Sequence, residues 1–153
     1  MLARELAGPF PTVGLDTDAL EAARILAEQR LPGLIVLDEN GLPHSVLPGS
    51  QVLRFLVPTY VQDDPALARA YDEKSADALA AKLAGRTVRD MLPSKHDRLT
   101  IPVVEPDATS IEIAAQMAGM RSPLVAVVEH DVLLGGITVS ALLAHLLDPG
   151  TAR

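Results

Sequence analysis

The chain carries one pattern twice. Residues 11–58 slide onto residues 102–149 at a constant offset of 91 without a gap, giving 12 identities in 48 positions. Pro11, Val13, Asp16, Glu21, Ala23, Ala27, Arg30, Pro32, Val36, Leu42, Leu56 and Pro58 recur as Pro102, Val104, Asp107, Glu112, Ala114, Ala118, Arg121, Pro123, Val127, Leu133, Leu147 and Pro149. Between them, apolar residues mostly replace apolar residues, as in Leu20 to Ile111, Leu26 to Met117, Leu34 to Val125, Leu37 to Val128 and Val46 to Ile137. Two copies of one supersecondary unit are expected to pack against each other. That constrains the fold to a pseudo-symmetric pair, with a ligand site expected at or beside the junction.

Each copy reads as strand, helix, hairpin, helix. Phe10 to Gly14 and Ile101 to Val104 are short extended segments around a proline. Asp18-Ala-Leu-Glu21 and Thr109-Ser-Ile-Glu112 have capping-box spacing and open helices. Leu20, Ala23, Leu26, Ala27 and Arg30, with Ile111, Ala114, Met117, Ala118 and Arg121, recur at helical spacing and predict core-facing stripes. Arg30 and Arg121 close these helices, where a cation complements the dipole. Pro32 and Pro123 precede Gly33-Leu-Ile-Val-Leu37 and Leu124-Val-Ala-Val-Val128, which read as buried central strands. Asp38-Glu-Asn-Gly41 and Glu129-His-Asp131 are the hairpin turns, leading to Leu42–Leu47 and Val132–Thr138. Final helices are expected over Gly49–Leu56 and Ser140–Leu147, stopped by Pro58 and Pro149. The reading is α+β: repeat 1 over 1–58, a helical insertion over 59–86 and repeat 2 over 87–153, in one compact module.

Composition narrows the function classes. With 48% hydrophobic and 22% charged residues the 153-residue chain has material for one core, or two small fused ones. No apolar stretch approaches the roughly 20 residues of a spanning helix, and Met1-Leu2-Ala3-Arg4-Glu5 does not read as a leader, so a cytoplasmic protein without membrane insertion is expected. The absence of cysteine excludes disulfides and thiol chemistry. The net charge of −7 is carried by both repeats, and only two Phe and two Tyr are available for stacking, which argues against a nucleic-acid partner. His44, His96, His130 and His145 are dispersed, with no metal-ligand spacing, and read as solvent-exposed. No phosphate-binding loop or nucleophile elbow is present, so the chain is not read as an enzyme.

The segments Thr87-Val-Arg-Asp-Met91, Asp107 to Arg121, Ser122-Pro-Leu-Val-Ala-Val-Val128 and Gly135-Gly-Ile-Thr138 followed by Ser140-Ala-Leu-Leu143 together resemble a cystathionine-β-synthase-type (CBS) domain pair, or Bateman module. Leu2-Ala-Arg-Glu-Leu6 looks like a shortened form of the same lead-in. The resemblance covers about two thirds of the chain. It implies a non-catalytic regulatory module that binds AMP, ADP, ATP or S-adenosylmethionine in clefts between the repeats, dimerises into a flat disc and regulates a transporter or enzyme.

The family's ribose and phosphate signature, Gly-h-h-Thr/Ser-x-x-Asp with h apolar, is met in part. Gly135-Gly-Ile-Thr138-Val-Ser-Ala141 keeps the glycine and threonine but has Ala141 at the acidic position. The gapless alignment puts Leu47 and Ser50 at the corresponding positions of the first repeat. Neither repeat supplies the carboxylate, a loss on the order of 1.5–3 kcal/mol, or roughly tenfold to a hundredfold in affinity. The second repeat is thus the better site. The resemblance points to Thr138 for phosphate or ribose, with Val103, Val104, Ser122 and Pro123 lining the base beside Ala141. The alternative is that Thr138 ends a strand and Gly135-Gly136 bends a hairpin, in a degenerate pair that binds no nucleotide and acts as a dimeric protein-interaction scaffold.

Thr59 to Leu99 is long for a connection and is not composed like a flexible one. Asp64-Pro65 reads as N-cap and N1, Ala66–Ala84 as helix with a break near Ser75, and Gly85 as its stop. It is expected to offer a partner surface or to bridge the halves. Leu142, Leu143, Leu146 and Leu147, with Val52, Leu53, Phe55 and Leu56, exceed what one core-facing stripe needs, which predicts a homodimer through the last helices of both repeats.

Overall fold

The computed structural model describes residues 1–95 and 100–148, the side chain of Ala76 apart. After a short helix α1 (Ala3–Leu6), the first repeat runs β1 (Thr12–Gly14), α2 (Ala19–Gln29), β2 (Gly33–Leu37), β3 (Pro43–Pro48) and α3 (Gly49–Leu56). The insertion holds α4 (Thr59–Asp63), a 3₁₀ segment (Pro65–Ala70), α5 (Glu73–Asp77) and a second 3₁₀ segment (Leu79–Leu83). Helix α6 (Val88–Met91) then leads to β4 (Val103–Val104), α7 (Ser110–Met120), β5 (Leu124–Glu129), β6 (Val132–Thr138) and α8 (Val139–Leu147). Each repeat is thus βαββα, with a three-stranded sheet whose central strand pairs parallel to the first and antiparallel to the third.

The central strands are apolar on both faces because both are covered. Helix-side residues Leu34 and Val36 join a first cluster with Val13, Ala22, Leu26 and Val52; Val125 and Val127 join a second with Val104, Ile113, Met117 and Leu142. The other faces meet each other. Ile35, Val46, Ile101, Leu124 and Ala126 form a third cluster, flanked by Phe10, Leu37, Val128 and Leu133, which joins sheet to sheet. Gly136 makes the contact possible: a Cβ there would lie 3.1 Å from the Phe10 Cβ and 3.2 Å from the Ile35 methyl.

The two lead-in helices are exchanged between repeats. Helix α1 sits on the second repeat, with Ala3 N–H donating to Ala108 O at 2.8 Å and Arg4 N–H to Pro106 O at 2.9 Å. Helix α6 makes the equivalent bonds to the first repeat, Val88 N–H to Thr17 O at 2.9 Å and Arg89 N–H to Leu15 O at 2.8 Å. Each is braced by its own acid: Glu5 accepts from Leu2 N–H, and Asp90 from Thr87 N–H, a bond that holds the Asp90 carboxyl below its usual range. Past α1, Gly8 exchanges two backbone hydrogen bonds with Gly136, extending the second sheet.

Several expectations need correction. The gapless alignment fails in the hairpins: Leu37 pairs with Pro43 across five residues, but Val128 pairs with Leu133 across four. Beyond them the structural offset is 90, so Pro48, not Leu47, stands where Thr138 does, since each precedes its final helix. The helix stripes hold in part. Leu20, Ala23 and Leu26 of α2, and Ala114 and Met117 of α7, lie in or against the core beside Ala19, Ala22 and Ile113, whereas Ala27, Ile111, Ala118 and both arginines are exposed. Arg30 and Arg121 take left-handed conformations, each with φ of 52°, and are themselves the C-cap residues. The insertion breaks at Tyr71-Asp72, not at Ser75, and two of its four short helical segments are 3₁₀; Asp64 caps as expected, accepting from Ala66 N–H. Gly85 follows with φ of 73°. His145 is half-buried with its Nδ1 enclosed, and His44 is half-buried, so neither is the exposed histidine expected. His130 is exposed and in the turn, while His96 and Pro149 lie outside the described residues.

A Cβ on Gly135 would come 2.5 Å from Gly8 O, a backbone atom that cannot swing aside. Gly135→Ala is expected to lower unfolding free energy by about 1–3 kcal/mol. Gly119, inside α7 with nothing near its Cβ position, is the control: Gly119→Ala should add about 0.5–1 kcal/mol. Chemical denaturation of the two variants reads both signs.

Candidate functional site at the inter-sheet cleft

The second sheet presents two of the predicted residues to the junction. Val103 on β4 pairs with Ala126, and Thr138 at the end of β6 pairs with Leu124, so both stand beside residues of the sheet-to-sheet cluster. They flank β5 on opposite sides, two inter-strand spacings across and two residues along the strand, or roughly 12 Å, apart. Val103 is exposed even though its neighbours Ile101 and Val104 are buried. An exposed valine beside an enclosed apolar contact leaves a surface on which a planar base can lie.

Thr138 is the N-cap of α8. Its Oγ1 accepts from Ala141 N–H at 3.1 Å, in extended backbone that ends the strand and starts the helix. The positive end of the helix dipole is therefore at the end of β6. Ala141 is exposed one turn inside the helix and adds no charge.

The other predicted residues are placed differently. Val104 is buried in the helix-side cluster with Met117 and Leu142. Ser122 is buried and its hydroxyl is used locally, donating to Leu124 O at 2.6 Å and accepting from Leu124 N–H at 3.3 Å. Ser122 and Pro123 line a groove between α7 and α8 on the outer side of the repeat. Val103 and Ala141 are thus exposed and Thr138 half-buried at the second sheet, whereas Val104 lies in the core and Ser122 and Pro123 in the groove.

The first repeat has the same architecture with different chemistry. Pro48 precedes α3 without a side-chain cap, and Gln51 stands where Ala141 does. Gln51 Nε2 donates to Met91 O at 2.8 Å, tying α3 to the exchanged lead-in. Sequence reading missed Gln51 because it ran the alignment through the hairpin; counting the turn residues separately would have found it. Elsewhere, Arg89 pairs with Asp16 at 3.4 Å, and Arg4 donates through Nε to Pro106 O at 3.4 Å, at equivalent sheet tips. The Arg89–Asp16 pair is well exposed, so it adds little stability. Among the described residues no cluster of three His, Asp or Glu could hold a metal ion.

The model of the CBS domain family matches residues 3–57. Among solved structures, a CBS domain-containing protein of unknown function from Kribbella flavida is 58% identical, covering 96% of this chain and 99% of that one at a TM-score of 0.87. The CBS domain of a CBS domain-containing membrane protein from Sphaerobacter thermophilus is 22% identical over 94% of this chain and 86% of that one, with a TM-score of 0.69. CBSX2, an Arabidopsis thaliana CBS-pair protein whose structure was solved in complex with AMP, is 20% identical over 97% of each chain, with a TM-score of 0.65. These two likenesses below 25% bear on the fold. No functionally curated protein matches the chain.

Thr138→Ala leaves Ala141 N–H without its cap and is expected to cost about 1 kcal/mol. Ser122→Ala leaves a buried carbonyl short of a donor and should cost about 1–3 kcal/mol. Thermal melts of the two variants check the ordering, with Ser122→Ala the less stable.

Proposed function

The chain belongs to the CBS domain family, and on that premise we propose that its regulatory module takes an adenine nucleotide at the cleft of the second repeat, between Val103 and Thr138. CBS-domain proteins are generally regulatory and non-catalytic. The observation that supports this reading is the pairing of an exposed apolar strand residue with a capped helix N-terminus on one side of the junction. An adenine ring lies against the first, and phosphate is drawn to the second. The AMP bound to CBSX2 makes AMP the first ligand to try; ADP, ATP and S-adenosylmethionine follow it.

A bound nucleotide can switch the module only by differential affinity for its states. The sheet-to-sheet contact is the element it would bias, because the cleft lies on its margin. The module would in that way act on a partner, a transporter or an enzyme. Among the described residues no helix is long and apolar enough to cross a membrane, so such a transporter would be a separate chain or lie outside these residues.

Ala141 and Gln51 favour a second reading. With no carboxylate on either final helix at the ribose position, the pair serves as a scaffold that binds no nucleotide.

Ala141 supplies the discriminating variant. Ala141→Asp adds an acceptor for ribose hydroxyls at an exposed helix position, and AMP affinity is expected to rise about tenfold to a hundredfold. Val103→Glu, also exposed, should abolish binding without unfolding the protein. Calorimetry that finds AMP bound by neither the native protein nor Ala141→Asp would leave the scaffold reading in place.

A further inference from the structure

We propose that the insertion carries a binding site of its own, a cavity that takes a small amine with an apolar body and holds its ammonium group at Asp72 and Glu73. The cavity shares no residue with the nucleotide site proposed above and does not depend on that reading.

The four short segments of the insertion cannot run on as one helix, because the chain breaks at Tyr71-Asp72 and restarts with Asp72 accepting from Ser75 N–H at 2.9 Å at the start of α5. Around that break lies a cavity of about 260 Å³ to which all four segments contribute. Its depth is apolar: Val61 of α4 is buried, and Val57 and Leu79 are half-buried. Its exposed rim carries Tyr71, Asp72 and Glu73. The surrounding segments are fixed to the first repeat and to each other. Gln62 Nε2 donates to Arg54 O at 3.0 Å and to Val57 O at 2.7 Å, which ties α4 to the end of α3. Lys82 Nζ donates to Leu56 O at 2.8 Å, and Leu83 is buried in the first cluster. The Tyr60 and Tyr71 hydroxyls are hydrogen-bonded, drawing the break back against α4.

The chemistry of the walls selects the ligand. Pockets for drug-sized ligands begin at about 300 Å³, so this one takes a smaller molecule. Among the described residues that line it none is Lys, Arg or His, and both charged ones are acids. An anion would meet two carboxylates on a protein that already carries −7. A neutral apolar molecule would fill the depth but take water from the rim carboxylates and return no donor. An ammonium group returns both charge and donors, and the aromatic Tyr71 suits it further. The Ser75 N–H and hydroxyl hold the Asp72 carboxyl below its usual range, so it is ionised wherever an aliphatic amine is protonated, from acidic pH up to about 10.

Amide-shift titration of the intact, isotope-labelled chain at neutral pH tests this, with 2-phenylethylamine as the probe. It should move the amides of Val61, Asp72 and Leu79 and leave those of Val139 to Ala141 in place. The uncharged 2-phenylethanol, of the same shape, should bind about threefold to fivefold more weakly. Asp72→Asn combined with Glu73→Gln should bring the amine down to the affinity of the alcohol, since asparagine can still accept from Ser75 N–H. Ala68→Phe, at an exposed lining position, should fill the cavity and abolish binding with circular dichroism unchanged. Val103→Glu should bind the amine as the native protein does, whatever it does to AMP. No shift up to the solubility limit of the amine, equal affinity for the alcohol, or a natively folded Ala68→Phe that still binds would each overturn the proposal.

Discussion

Everything in this molecule depends on two sheets meeting face to face. A three-stranded sheet with helices on one side has an apolar second side, and Ile35 and Val46 in one repeat find Leu124 and Ala126 in the other. At the magnitude of apolar burial, about 25 cal/mol per Å², such a contact is what makes two small units one body. The contact needs backbone clearance, and Gly135 and Gly136 supply it on one edge. The first admits the Gly8 carbonyl and the second admits Phe10 and Ile35. The exchange of α1 and α6 then crosses the junction twice, so each repeat is completed by a helix that sequence order assigns to its neighbour.

Much of this was legible in the residues. The repeat, the βαββα order, the buried central strands and Asp64-Pro65 as a helix start all follow from periodicity and capping chemistry, because those signals are local. The exchange of lead-ins was not legible, since Val88 to Thr17 and Ala3 to Ala108 are long-range backbone bonds that leave no side-chain pattern. The hairpin offset was hidden by chance identities at Leu42, Leu56 and Pro58, which rewarded a gapless alignment past the point where the turns differ. The edges of the helix stripes were misread because alanine is compatible with core and groove alike. Ala22 is buried while Ala27 is exposed.

Pseudo-symmetry makes the differences between repeats informative. At the cleft, the second repeat has Thr138 capping α8 where the first has Pro48, and Ala141 where the first has Gln51 bonded to Met91 O. On the outer face the insertion packs beside Leu56, while Leu146 is left exposed. The duplicated surfaces thus differ in their contacts: the end of β3 is tied to the lead-in through Gln51 while the end of β6 is not, and the insertion bonds to α3 through Lys82 while α8 stays free of charged residues.

The central functional claim concerns one cleft, and backbone amide shifts report on it residue by residue. Titrating AMP into the isotope-labelled protein should move the amides of Val103 and of Val139 to Ala141, with Gly49 to Gln51 at the equivalent end of the first repeat unmoved. Shifts confined to the first repeat, or none at saturating AMP, would contradict the assignment of a nucleotide site to the second.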